Sequence, residues 1–239
     1  MKLSIIIPVF NEEKTILNVL RQINSIEIHG VKKEIIVVDD GSTDATASVI
    51  SNIKYQKSNI KIVHHRKNQG KGAAVRTGIE HATGDYILIQ DADLEYNPKD
   101  IVRLIAPIKN NNSKTAVYGT RLKRLPNFLR DERTPRFFLH YLGNRMLSLL
   151  VSILYGQWIT DMETCYKLFP KKAVDRMMLN SKRFDFEPEI TAKLLKRGYR
   201  ILEVPIKTNP RGYKEGKKLN TFKDGTIALW TLIKYRFFD

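Results

Sequence analysis

Asp91, Asp93 and Glu95 are the residues whose types and spacing could do chemistry. They follow Tyr86-Ile87-Leu88-Ile89, an apolar run that reads as a buried strand, and precede Asn97-Pro98, a turn and helix start. In extended chain, residues i, i+2 and i+4 point to one side. These carboxylates therefore converge if the strand persists past the buried run. Converging carboxylates repel unless a cation lies between them. A hard divalent ion, Mg²⁺ or Mn²⁺, takes oxygen ligands and keeps positions for phosphate. The alternative is a solvated acidic turn, and this stretch alone does not separate the two.

Other stretches carry weaker signals. Asn68-Gln69-Gly70-Lys71-Gly72 could cradle phosphate at a helix N-terminus, with Lys71 adding charge, or could be a plain tight turn. It lacks P-loop spacing, and Val9-Phe10-Asn11-Glu12 after the first strand is no dinucleotide fingerprint. The five histidines lack metal-ligand spacing. No Ser/His/Asp set stands out.

The elements that must position these residues alternate. Strands are expected at 3–9, 34–39, 60–64, up to Asp91, and at 116–119. Helices are expected at 11–26, up to 53, 70–82 and 98–108. Short apolar strands alternating with helices specify an α/β fold with a mostly parallel sheet flanked by helices, whose ligands bind beyond the strands' carboxyl ends. Asp39, Asp40, Asp91 and Asp93 all fall there. The second half predicts an apolar helix from Pro135 to Tyr155, a short strand at 165–169, helices at 171–179 and up to 197, and a strand at 200–207. A cation-dense loop at 209–218 comes next. Residues 1–220 read as one α/β domain, which the resemblance given below makes the catalytic one, and 221–239 as a C-terminal amphipathic helix, with apolar positions 222, 229, 230, 233 and 237 on one face.

Composition narrows the classes. A single cysteine, Cys165, excludes a disulfide framework and suits a reducing cytosol. No uncharged apolar run reaches the roughly 18 residues of a membrane span. The start of the chain reads as a strand, not a signal peptide. The net charge of +16 favours anionic partners: nucleic acid, phosphorylated substrates or an acidic membrane face. No nucleic-acid module is recognisable, so nucleic acid is not expected as a partner.

At this point the residues carry a resemblance. Ser4-Ile5-Ile6-Ile7-Pro8-Val9-Phe10-Asn11-Glu12, Val38-Asp39-Asp40-Gly41-Ser42-Thr43-Asp44, Asn68-Gln69-Gly70-Lys71-Gly72 and Asp91-Ala92-Asp93 occur in the order of the family 2 glycosyltransferases, which they resemble. Later stretches are similar to polyprenyl-phosphate hexose synthases of the dolichyl-phosphate mannose and glucose type: Asp161-Met162-Glu163-Thr164-Cys165-Tyr166-Lys167-Leu168-Phe169, Phe186-Glu187-Pro188-Glu189 and Glu215-Gly216-Lys217-Lys218-Leu219. The resemblance implies the GT-A fold and inverting transfer of a hexose from a nucleotide sugar to a polyprenyl phosphate. It implies Mg²⁺ or Mn²⁺ on Asp91, Asp93 and Glu95. Pro8, Phe10, Glu12, Asp39 and Asp40 would line the nucleoside pocket, and Asn11, Lys71, Gln90, Ala92 and Lys217 would complete the donor site. Arg121, Arg136 and Arg211 match arginines that engage the diphosphate or the acceptor phosphate. A sugar-hydroxyl acceptor would need a base, for which Asp161 and Glu187 are candidates. Cys165 and Tyr166 stand where many relatives have Gly and Phe. The implied setting is the cytoplasmic face of a membrane, reached through an anionic lipid surface or a separate membrane subunit. A catalyst of sugar-hydroxyl transfer and a non-catalytic nucleotide-sugar-binding subunit are the rival readings.

Overall fold

Strand β1, Lys2–Val9, sets the layers of the molecule. Its register pairs Ile5 with Ile35 and Ile6 with Ile36 of β2 (Lys32–Asp39), and Ile6 with Ile89 of β4 (Tyr86–Ile89). Successive side chains alternate faces. Ile5 and Ile7 enter the core with Val19, Leu20 and Leu104, whereas Ile6 enters a second core with Ala74, Phe169 and Phe186. Helices cover both faces, so β1 reads as a continuous apolar run. Burying each Ile contributes about 1.5–3 kcal/mol.

This computed structural model describes residues 1–54, 59–109, 114–121, 135–209 and 221–238, with the backbone alone at 53–54, 135–140 and 221–222. The remaining elements are α1 (Ile16–Ser25), α2 (Thr46–Lys54), β3 (Ile60–His64), α3 (Lys71–His81), α4 (Ile101–Lys109), β5 (Thr115–Thr120), α5 (Pro135–Tyr155), β6 (Lys167–Pro170), α6 (Lys171–Val174), α7 (Phe186–Lys196), β7 (Arg200–Pro205) and α8 (Thr221–Phe237). The sheet order is β3-β2-β1-β4-β6-β5-β7. Every pairing is parallel except those of β6, which runs antiparallel between β4 and β5. The mostly parallel GT-A-like sheet expected from the sequence is therefore present. The chain winds one way from β1 to β2 and the other way to β4, so a crevice opens at their carboxyl ends.

Three local expectations are corrected. The first helix begins at Ile16, not Asn11, which adopts φ 52°. Its backbone N–H donates to Ser42 Oγ and its Oδ1 accepts from the Thr43 N–H, tying it to the β2–α2 turn. The fourth strand stops at Ile89, and residues 92–95 turn, with Leu94 at φ 63°. The alternation argument for Asp91, Asp93 and Glu95 therefore fails. Helix α6 ends at Val174, short of Leu179: Arg176 takes a left-handed φ of 56°, and Arg197, just past α7, donates to the carbonyls of Ala173 and Asp175.

Helix α8 docks on α5 and α7 through Ala228, Leu232 and Tyr235, with the Tyr155 hydroxyl donating to the Leu232 carbonyl at 2.8 Å. Of the face expected to be apolar, Leu229, Trp230 and Phe237 stay exposed. Helix α5 packs Val151 and the half-buried Leu147, Leu150 and Leu154 against the core, but mixes polar with apolar side chains on that inner face. Asn144 and Ser148 are buried, whereas Leu142, Met146, Leu149 and Ile153 face out.

Candidate active site

The crevice holds a cavity of about 550 Å³. Pro8, Phe10 and Glu12 from the end of β1, and Asp40 after β2, form one side. Lys71, Asp91, Ala92, Asp93 and Glu95 lie across the middle, and Arg121 after β5 borders the far side. These predicted site residues come together. Asn11, Asp39, Gln90 and Asp161 do not line the cavity, though Asp161 holds Arg121, which does. Arg211 and Lys217 lie outside the described residues, and Arg136 is described by its helical backbone only.

The β2 side is built by hydrogen bonds. Asp40, 3% exposed, accepts from the N–H groups of Gln69 and Gly70 at 2.9 and 2.8 Å, and its Oδ1 lies 2.7 Å from His65 Nδ1. Asp39 accepts from the Ser42 N–H and sits 3.0 Å from His64 Nδ1. Both carboxylates shape turns. The glycines of the Gly70-Lys71-Gly72 stretch answer to packing rather than to an open phosphate cradle. Gly70 adopts φ 99°, and a Cβ there would lie 2.3 Å from the Lys182 carbonyl oxygen.

In the middle, Lys71 Nζ lies 2.8 Å from Asp91 Oδ1, donates to Cys165 Sγ at 2.8 Å, and sits 3.4 Å from Glu187 Oε1. Burial works against the Lys71 charge, but Asp91 overrides it and holds the ammonium pKa well above its usual value. Burial also opposes the Asp91 charge, and Lys71 overrides that in turn, keeping the carboxyl below the usual range. Burial, reinforced by the Asp91 charge, pushes the Cys165 thiol up, so it stays neutral. The residue at the family's Gly position thus fills space and accepts from Lys71. The hydroxyl of Tyr166, at the Phe position, is satisfied by donating to Gln90 Oε1 at 2.7 Å.

Arg121 and Asp161 form a fork. Nε and Nη2 each donate at 2.8 Å to the two carboxylate oxygens, and the Arg121 backbone N–H donates to Oδ2. Asn144 from the inward face of α5 adds a bond to Asp161 Oδ1 at 2.9 Å. Despite its burial, Asp161 is held below the ordinary carboxylate range by Arg121. With no exposed surface and both oxygens engaged, it positions Arg121 and is not placed to act as a base.

A divalent ion is implied by the resemblance, and the donor set fits its chemistry. No three Asp, Glu, His or Cys side chains among the described residues are gathered as a closed metal cage. Ions such as Mg²⁺ are usually held by one or two carboxylates, with substrate phosphates and water completing the shell. Asp93 and Glu95 face the same cavity and supply such oxygens, while the Asp91 charge is already met by Lys71.

Several cavity residues were not singled out from the sequence: Glu163, Tyr96, Arg183 and Phe184. Each sits in a loop or short bridge without periodic pattern. Arg183 and Phe184 arrive because the 181–183 backbone packs on Gly70 and Gly72.

The sequence model described as glycosyl transferase family 2 matches residues 4–177. The UDP-N-acetylglucosamine–dolichyl-phosphate N-acetylglucosaminyltransferase of Methanococcus voltae is 32% identical over 233 residues, covering 90% of this chain and 89% of that protein. A dolichyl-phosphate beta-glucosyltransferase of Trichomonas vaginalis is 33% identical, covering 87% of this chain and 64% of its own length. Among solved structures, glucosyl-3-phosphoglycerate synthase from Mycobacterium tuberculosis, in complex with Mn²⁺, UDP and phosphoglyceric acid, superposes with TM-score 0.73 at 19% identity. It covers 100% of this chain and 79% of that one, a likeness of fold. The family match takes in the ends of β1, β2, β4 and β5 that border the cavity, and with it the chain belongs to glycosyl transferase family 2 and is a glycosyltransferase.

Proposed function

We propose that the protein transfers a hexose, with inversion, from a nucleotide sugar to a polyprenyl phosphate. The observation that carries this reading is a single cavity in which acidic residues able to hold a metal, Asp93 and Glu95, face cations able to hold phosphate, Lys71 and Arg121. Arginine's planar fork suits phosphate, and the Arg121 fork is oriented in advance by Asp161.

In the reaction, an oxygen of the acceptor phosphate attacks the anomeric carbon as the bond from that carbon to the diphosphate breaks. The electron pair leaves with the diphosphate. Pro8 and Phe10 flank the nucleoside. Lys71 and Arg121 stabilise charge as it develops, and Asp93 and Glu95 would hold the divalent ion, which supplies further neutralisation of the leaving group. Positioning supplies much of the rate. A phosphate acceptor is already anionic near neutral pH, so no base is needed, in keeping with the sequestration of Asp161.

The acceptor's lipid would be met at a membrane surface. No described helix is long and apolar enough to cross a bilayer. Instead α5 exposes Leu142, Met146, Leu149 and Ile153, and neighbouring α8 exposes Trp230 and Phe237 beside Lys234 and Arg236. Apolar and aromatic side chains bordered by cations, on a chain of net charge +16, fit an anionic lipid interface.

The test is a screen of UDP- and GDP-sugars with a short polyprenyl phosphate, in Mg²⁺ and Mn²⁺, following labelled sugar into mild-acid-labile lipid. Transfer supports the reading, whereas transfer only onto a sugar hydroxyl replaces the acceptor assignment. In parallel, the protein should co-sediment with anionic vesicles, and Ile153→Glu with Trp230→Glu should abolish this. Undiminished sedimentation of the folded variant would remove the membrane assignment.

A further inference from the structure

The cavity's far side contains an anomaly. Glu187, 3% exposed, has both carboxyl oxygens buried without a hydrogen bond, and Oε1 of Glu163 is likewise buried and unbonded. Both residues line the cavity. The opposite charges near Glu187 are the Lys71 ammonium at 3.4 Å, already engaged with Asp91 and Cys165, and the buried Lys167, which donates to the carbonyls of Met162 and Thr164. Buried polar atoms are nearly always satisfied in folded proteins, and leaving them unpaired is unfavourable. Three such oxygens on one wall of one cavity mark a place completed by a ligand.

The chemistry of the wall selects that ligand. A carboxylate only accepts hydrogen bonds, and a carboxylic acid donates one and accepts others. The partner must therefore bring donors and carry no negative charge. A diphosphate is excluded, and a polyol fits. Burial and the neighbouring Glu187 charge push the Glu163 pKa up to about 8, so near neutrality Glu163 offers a donor as well as an acceptor. Sugar hydroxyls also both donate and accept.

Position agrees. Across the sheet the order runs from β2 and β1, which carry Asp40 and Phe10, through β4 before Asp91 and Asp93, to β6 after Glu163. A nucleotide sugar is laid out in the same sequence: nucleoside, diphosphate, sugar. We propose that Glu163 and Glu187 read the hydroxyls of the donor's sugar and so set which sugar the enzyme accepts. This rests on the donor reading above, and it assigns the residues to sugar specificity rather than to nucleotide binding.

The test compares wild type, Glu187→Gln, Glu163→Gln and Glu163→Leu by calorimetry with UDP, GDP, UDP-glucose, UDP-N-acetylglucosamine and GDP-mannose, with Mg²⁺ present. Thermal unfolding is followed on the same samples. Each variant should bind the bare nucleotide within about twofold of wild type. The additional affinity given by the sugar should fall roughly tenfold, as expected for one lost hydrogen bond. The ranking of sugars in kcat/KM should also change. Glu163→Leu, which removes an unpaired buried oxygen, should leave Tm unchanged or raise it by ~2–4 °C. Unaltered sugar affinity and ranking in folded variants overturns the inference, as does equal weakening of bare nucleotide and nucleotide sugar. Wild-type protein that binds none of these nucleotides overturns the donor reading itself, and the inference with it.

Discussion

The two sides of the cavity carry similar acidic residues in opposite states. On the β2 side, Asp40 meets two backbone N–H groups and His65, and Asp39 meets Ser42 and His64. On the β6 and α7 side, Glu163 and Glu187 hold buried oxygens with no hydrogen bond. A carboxylate saturated by its own chain is part of the scaffold, and its removal leaves orphaned N–H groups. A carboxylate left unsaturated is unfavourable until a ligand arrives. Mutation on the first side should therefore be read in stability, and on the second in substrate use.

The largest expected effect is Asp40→Ala. Loss of a buried charge-assisted cluster should lower unfolding free energy by about 3–5 kcal/mol in urea titrations, because His65 and the Gln69 and Gly70 N–H groups lose their acceptor. A loss below about 1 kcal/mol would erase the distinction between the two sides. Next is Asp93→Asn, in the middle of the cavity. Turnover should fall by about 10²–10³ in saturating Mg²⁺ or Mn²⁺, equivalent to roughly 3–4 kcal/mol in the barrier. Stability should change little, since size is kept and carboxylate repulsion is relieved. Wild-type turnover would rule out Asp93 as a ligand of the proposed metal ion.

Gly70→Ala returns to the scaffold side. A Cβ at φ 99°, 2.3 Å from the Lys182 oxygen, should cost about 2–3 kcal/mol and loosen the 181–183 segment, which denaturation and hydrogen exchange can follow. The last effect is a slope, the smallest when read per pH unit. Glu163 has its pKa raised from 4.5 to about 8, so its contribution to stability is complete below about pH 4.5, erodes as pH rises, and is gone above about pH 8. Glu163→Gln should flatten the decline of stability across that window by up to roughly 1.4 kcal/mol per pH unit. An identical pH profile in wild type and variant would show that Glu163 is not a buried acid of this kind.

The strand and helix ladder was legible because it depends on local periodicity. Leu3, Ile5 and Ile7 alternate with Ile6 between two cores, and β2 repeats the pattern. The strand order put Asp40, Asp91 and Asp93 at strand ends that share one edge, as a parallel sheet requires, and the family resemblance added Pro8 and Phe10. The turn at 92–95 is not legible in the sequence because an extended segment and a left-handed turn at Leu94 have no difference in hydrophobic pattern.

Residue types alone determined the alternating α/β order, the acidic strand ends and the excess of positive charge, since each follows from properties a short stretch carries with it. Tertiary structure decided the rest, because each outcome depends on groups far apart in the chain. Lys71 and Asp91 pair across 20 positions, and Arg121 with Asp161 across 40. Asn144 and Ser148 turn inward on α5, beside the core-packed Leu147 and Val151, where they meet Asp161 and the Met162 N–H. Glu163 and Glu187, 24 positions apart, share one wall only after β6 inserts antiparallel between β4 and β5. Their burial, which gives them their chemistry, is a property of the packed molecule and of no segment within it.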